Sequence, residues 1–228
     1  MRKILLIGVA TATLMTFGAA GAPAEAAVHH HRSHKATVSI LHAVPGTPVD
    51  VYLNHKRVLD DFQPGTLTDP LKVKSGRYTV TITAATATDD KSPIIGPAEF
   101  RFRARRNYTV VAHLDASGAP TATKYRNPLA RTPKGRGRLV VRHDAAAPAV
   151  DIFANGALSM RGLTNPHQSK LNVPAGTYSV AVALSGTTAP VIGPADVTVK
   201  RRQDTIVYAW GSAAQGNLTV AVQTVKTH

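Results

Sequence analysis

The chain has 228 residues, with 27 Lys and Arg against 13 Asp and Glu, a formal net charge of +14, 43% hydrophobic residues and no cysteine. Without cysteine there are no disulfides and no thiol to carry a lipid, so each folding unit must rest on its own apolar core. The positive surplus raises the local concentration of polyanions through a long-range attraction that salt weakens.

In chain order, Arg2 and Lys3 precede an apolar stretch from Ile4 to Phe17 and a small-residue end at Ala24-Glu25-Ala26. This is the three-part pattern of a secretory signal peptide, residues 1–26, and the apolar stretch is short for a membrane span. It predicts a secreted or cell-wall-associated protein with no transmembrane segment in its mature chain. Residues 27–35 hold His29, His30, His31 and His34 among polar neighbours. This His-rich terminus has imidazoles enough for weak Zn, Cu or Ni binding but no scaffold to fix them, so no metal site is assigned.

From here the sequence states its content twice, about 100 residues apart. His42–Asn54 (HAVPGTPVDVYLN) is answered by His143–Asn155 (HDAAAPAVDIFAN), and Leu71–Val80 by Leu171–Val180. Ile95-Gly-Pro-Ala98 is answered by Ile192-Gly-Pro-Ala195, and Tyr108–Ala112 by Thr205–Ala209. In the first copy, residues 36–125, short alternating segments (Val38/Ile40/His42, Val49/Val51/Leu53, Tyr78/Val80/Ile82, Tyr108 to Leu114) are punctuated by Gly and Pro. Seven or eight such strands per copy, with turns every 8 to 12 residues and no helical period, predict an antiparallel β-sandwich. Residues 126–137, rich in Pro, Gly and basic residues, read as an interdomain linker. The second copy, 138–228, carries the clearest hairpin signal, Asn155-Gly156.

The strand ending in His, the Pro-rich step, Val49-Asp-Val-Tyr52 and Val150-Asp-Ile-Phe153, the hairpin Asn54 and Asn155, and Pro174-Ala-Gly-Thr-Tyr178 together resemble the bacterial domain-of-unknown-function 4397 family. The first copy departs from the last motif with Ser75 and Arg77. The resemblance covers both copies. It implies two tandem immunoglobulin/transthyretin-like sandwiches, secreted or surface-exposed, and brings no catalytic residue with it.

Three sets of residues are candidates for function. From Phe100 to Arg142 there are eleven Lys or Arg against Asp115 alone. Within that run Arg126, Arg131, Lys134, Arg136 and Arg138 are expected to bind anionic wall polymers or an acidic surface protein. Pro133–Arg138 superficially resembles a minor-groove hook, but the export signal argues against a specific nucleic-acid partner. The second set is Ile206, Tyr208 and Trp210, an apolar face whose counterparts in the first copy are Thr109, Val111 and His113. Such a face suits a carbohydrate platform, an adhesion surface, an interdomain contact or a strand covered within its own sandwich. The third is His42 with Asp50 and His143 with Asp151, the titratable pair kept in both copies.

For a catalytic or metal site a nucleophile or third ligand should be duplicated as well, and none is, so these pairs are expected to hydrogen-bond the backbone of turns. No Gly-x-Ser-x-Gly or His-Glu-x-x-His occurs, and Asp60-Asp61 and Asp89-Asp90 lie outside the repeats. The reading is therefore a non-enzymatic binding or structural module without cofactor. An unrecognised hydrolase or metal-binding protein is the minor alternative.

Overall fold

The structure is a computed structural model that describes residues 34–228. Residues 1–26, expected to be a signal peptide, and His29, His30 and His31 lie outside the described residues, and His34 is exposed. The described residues form one compact unit. It contains sixteen strands and no helix among the described residues, so no helix there is long and apolar enough to cross a membrane.

The first copy supplies β1 (Lys35–Ala43), β2 (Val49–Leu53), β3 (Lys56–Phe62), β4 (Leu71–Lys74), β5 (Gly76–Ala84), β6 (Ile95–Phe102), β7 (Asn107–Leu114) and β8 (Pro120–Asn127). The second supplies β9 (Arg136–Ala146), β10 (Val150–Ala154), β11 (Ala157–Leu163), β12 (Gln168–Pro174), β13 (Gly176–Leu184), β14 (Pro190–Val199), β15 (Gln203–Ser212) and β16 (Thr219–Lys226). Each copy folds into two four-stranded sheets with the same order, β4-β1-β7-β8 with β3-β2-β5-β6, and β12-β9-β15-β16 with β11-β10-β13-β14. Pairing is antiparallel except for β1 with β7 and β9 with β15, where the opening strand of each copy lies parallel to the seventh.

The repeated residues have local tasks that account for their repetition. Asn54 and His55, like Asn155 and Gly156, take positive φ in the two-residue hairpin turn. Each Asn side chain accepts the N–H of a neighbouring strand, Thr79 and Ser179, at 2.9 Å. Tyr78 and Tyr178 each donate to the carbonyl four residues earlier, Lys74 and Pro174. In the Ile-Gly-Pro-Ala blocks, Gly96 and Gly193 have φ of 94° and 81°, and an added Cβ would lie 2.5 and 2.6 Å from the carbonyl oxygens of Val80 and Val180. Only glycine fits both the dihedral and the approach.

Strand alternation divides β1, β7, β9 and β15, the central strands of the two inner sheets, between two cores. In β9, Leu139 and Val141 join Ile152, Val182 and Val207 inside the second sandwich. In β1, Ile40 packs with Val51, Phe62 and Ile82 inside the first, and Val38 with Phe102 and Tyr108 at the other end of the same layer. The alternate residues build a third core. Leu41, Ala43, Val111 and Tyr125 of β4-β1-β7-β8 pack against Val140, Ile206, Tyr208, Trp210 and Val225 of β12-β9-β15-β16. The fold is a stack of four sheets in which the two sandwiches share a buried seam.

The expected linker is correspondingly shorter. Arg126 and Asn127 finish β8, and Arg136 and Gly137 begin β9. The segment between is tied down by Thr132 Oγ1 donating to Arg136 O, His228 N–H to Leu129 O, and Arg138 to Ala130 O.

Candidate anion-binding clefts at the sandwich seam

The aromatic face of β15 is not a free platform. Ile206 and Tyr208 are 0% exposed and Trp210 is 9% exposed, all within the seam. The first sandwich covers them because its own outer face offers Leu41, Val111 and Tyr125 in return.

The same seam buries a polar network centred on Arg142, itself 0% exposed. Its guanidinium donates to Tyr208 Oη at 2.6 Å, Asn127 Oδ1 at 2.7 Å and Gln168 Oε1 at 3.0 Å, and lies 4.2 Å from the Tyr125 ring centroid. Tyr208 donates onward to Gln223 Oε1, which also accepts from Thr109 of the first sandwich. Asp144 receives a 2.6 Å contact from the Tyr125 hydroxyl, which also lies 2.9 Å from Pro166 O. Burial pushes the Asp144 carboxyl above the ordinary range, against the pull of His113, Tyr125 and Arg142.

His42 and His143 hold one arrangement in the two copies. Nε2 donates to a turn carbonyl five residues on, Thr47 at 3.2 Å and Pro148 at 2.9 Å, and Nδ1 accepts the N–H two residues on, Val44 and Ala145. Both bonds require the neutral tautomer, and burial lowers both pKa values. Asp50 accepts from Arg57 and from the Asp61 N–H, and Asp151 from the Gly162 and Gly186 N–H groups and Ser185. No hydrogen bond joins either histidine to its aspartate, and among the described residues no cluster of three or more His, Cys, Asp or Glu could hold a metal.

These groups set a pH dependence. For a histidine held neutral, the unfolded chain takes the proton first, so stability is lost as pH falls through about 6.5. For Asp144, and for Asp204, which burial pushes up to about 6 despite Arg138, the folded chain holds the proton, so their contribution is lost as pH rises from about 3.9. The two effects oppose each other between pH 5 and 7. The double variant His42→Gln with His143→Gln keeps a donor for each carbonyl and removes the histidine contribution, so its stability relative to the parent should be greater at pH 5 than at pH 7. Chemical denaturation of both proteins across that range tests this, and identical slopes in variant and parent would refute it.

The basic candidates divide. Arg126, Arg131, Lys134 and Arg136 are exposed. Arg138 is not available to a partner: it is 8% exposed and donates to Asp204 at 2.7 Å. Along β9 alternate residues point into the seam, and 138 shares that parity with Val140 and Arg142, so a run of charge in sequence does not stay on one surface.

The four exposed cations line clefts at one end of the seam, together with residues from distant parts of the chain. One cleft, of about 710 Å³, has Lys72, Arg105, Arg106 and Lys226 in its walls, with Lys35 alongside. A second, of about 680 Å³, shares Arg105, Arg106, Leu129 and His228 with the first and adds Arg126, Arg131 and Lys170. A third, of about 640 Å³, shares Arg131 with the second and adds Lys134, Arg136, Arg201 and Arg202. No Asp or Glu side chain lines any of them. Lys35 aside, none of these cations makes an ion pair among the described residues.

The duplication contributes directly. Aligning Tyr108 with Thr205 sets Arg105 against Arg202, and both hold positive φ, 57° and 56°, in the turns between β6 and β7 and between β14 and β15. Both turns therefore present arginine at the same end of the stack, with the β8–β9 connection running between them. Gln223 and Gln168, members of the Arg142 network, also line the first and second clefts.

No curated protein matches the chain. Among solved structures it is similar to CBMbc, a family-26 carbohydrate-binding module of Eubacterium rectale Amy13K determined in complex with maltoheptaose, at 11% identity over 85% of this chain and 97% of that one, with a TM-score of 0.25. A family model described as Domain of unknown function (DUF4397) matches residues 36–153 and again 145–227. The two matches overlap at residues 145–153, the first running on into β9 and β10, and together they span both sandwiches; the chain belongs to the DUF4397 family, in two tandem copies.

Proposed function

We propose that the protein is an exported, non-enzymatic binding module that holds an anionic polymer of the cell envelope, or an acidic partner surface, in the basic clefts of its seam. The observation that carries this reading is three contiguous clefts walled by Lys and Arg with no acidic side chain. Concave walls of one sign concentrate the field, and unpaired cations repel one another until a polyanion neutralises them. The repeated His and Asp side chains support the non-enzymatic part, since each is engaged with turn backbone or a neighbouring side chain. An aromatic carbohydrate platform on Ile206, Tyr208 and Trp210 has no support, because the first sandwich occupies that face.

A pull-down on anionic wall polymer at two salt concentrations tests the proposal. Retention should fall steeply with salt. Replacing Arg126, Arg131, Lys134 and Arg136 by Gln should lower it and reduce the log–log salt slope by about one per cation that contacts the polymer. Arg138→Gln is expected to destabilise the fold instead of acting on retention. Salt-independent retention, or retention unchanged in the fourfold variant, would remove the clefts from the account.

A further inference from the structure

Resting on the polyanion reading, we infer that the three clefts form one track for a linear chain of phosphates, linked as phosphodiesters or phosphoanhydrides and carrying no stacked rings. The clefts are continuous through shared walls, Arg105 and Arg106 between the first and second and Arg131 between the second and third. A continuous track of one charge sign suits an extended polymer charged at every repeat.

The cations are mostly arginine: Arg105, Arg106, Arg126 and Arg131 at the centre, with Arg136, Arg201 and Arg202 at one end. The planar guanidinium fork matches two oxygens of one phosphate, where lysine offers a point charge. Two turns hold an arginine in the left-handed region, Arg105 and Arg202, at some cost in backbone strain, and both of these residues line the track.

What the walls lack narrows the class. No Phe, Tyr or Trp lines any of the three clefts. Single-stranded nucleic acids are held by stacking bases on aromatic rings as well as by their phosphates. Uronate polysaccharides bring sugar rings, whose apolar faces use aromatic platforms and whose hydroxyls use carboxylate acceptors. Apart from the His228 imidazole the track offers no aromatic ring, and it offers no carboxylate side chain. It fits a polymer whose recognisable chemistry is the phosphate alone, either inorganic polyphosphate or a polyol-phosphate chain.

The test titrates the full chain calorimetrically with inorganic polyphosphate, poly(glycerol phosphate), oligothymidylate and oligogalacturonate, matched in number of charges and at one salt concentration. At least one of the first two should bind about tenfold more tightly than the last two, and the tighter of the two identifies the source. Arg106→Lys with Arg131→Lys preserves charge but removes two forks, and should weaken the phosphate chain severalfold while leaving oligogalacturonate nearly unchanged. Both residues are exposed, so a thermal melt of the variant should match the parent. Equal affinity for all four polymers, or no loss in the lysine variant, would overturn the phosphate assignment and leave the polyanion reading standing. Binding of none would overturn both.

Discussion

Arg142→Ala is expected to lower the unfolding free energy by about 3 to 5 kcal/mol, the cost of dismantling a buried charged network from its centre. The guanidinium is the shared donor for Tyr208 Oη, Asn127 Oδ1 and Gln168 Oε1, and it fills the space between the Tyr125 and Tyr208 rings. Truncation leaves acceptors from both sandwiches buried without their donor and opens a cavity between the rings. Arg142→Lys keeps the charge but cannot reach three acceptors at once, so it should fall between parent and alanine. Arg142 lines none of the clefts, so binding measured well below the melting temperature should be little changed. A loss under about 1 kcal/mol for the alanine variant would mean that the seam is held by its apolar contacts alone.

Much of the fold was legible because the repeated residues do local work that leaves local signs. Asn54 and Asn155 make a tight hairpin, Gly96 and Gly193 admit a close carbonyl, and Tyr78 and Tyr178 close a corner, each within one or two strands. The seam is different in kind. Arg142, Tyr208 and Gln223 look like polar decoration on an outer face, because nothing in β9, β15 or β16 says that a second sheet will cover them. The apolar content of Ile206, Tyr208 and Trp210 was visible, and only the packing decided between ligand platform and domain contact. The cleft was half legible for the same reason. Arg126, Arg131, Lys134 and Arg136 are near one another in sequence, whereas Arg201 and Arg202 join them only when the second sandwich folds, and Lys72 and Lys170 only when the two sandwiches dock. The alignment of Arg105 with Arg202 between the copies was the available sign, a basic residue in the same turn twice. Arg138 was assigned to the surface on composition, where strand parity put it inside.

The two sandwiches, produced as separate chains covering 34–128 and 129–228, should depend on each other even though each contains its own inner core. The second half alone would expose Val140, Ile206, Tyr208, Trp210 and Val225, now all under 10% exposed, with Arg142 beside them. Uncovering large apolar side chains costs about 1.5 to 3 kcal/mol each, so five approach the whole net stability of a typical domain, about 5 to 15 kcal/mol. The first half would expose Leu41, Val111 and Tyr125, fewer and smaller groups, and should survive better. The second half is therefore expected to self-associate or melt early, and mixing the halves should give a one-to-one complex with the melting temperature partly restored. Calorimetry of the intact chain should show one transition, because the seam couples the two cores. Two transitions in the intact chain, with a monomeric second half melting at the temperature of one of them, would show that the sandwiches are independent and that the seam contributes little. The same experiment bears on the clefts: the first two take walls from both halves and the third lies wholly within 129–228, so neither half alone should retain the intact chain's full affinity for a polyanion, the second half should keep the part that the third cleft supplies, and the reconstituted pair should recover the whole.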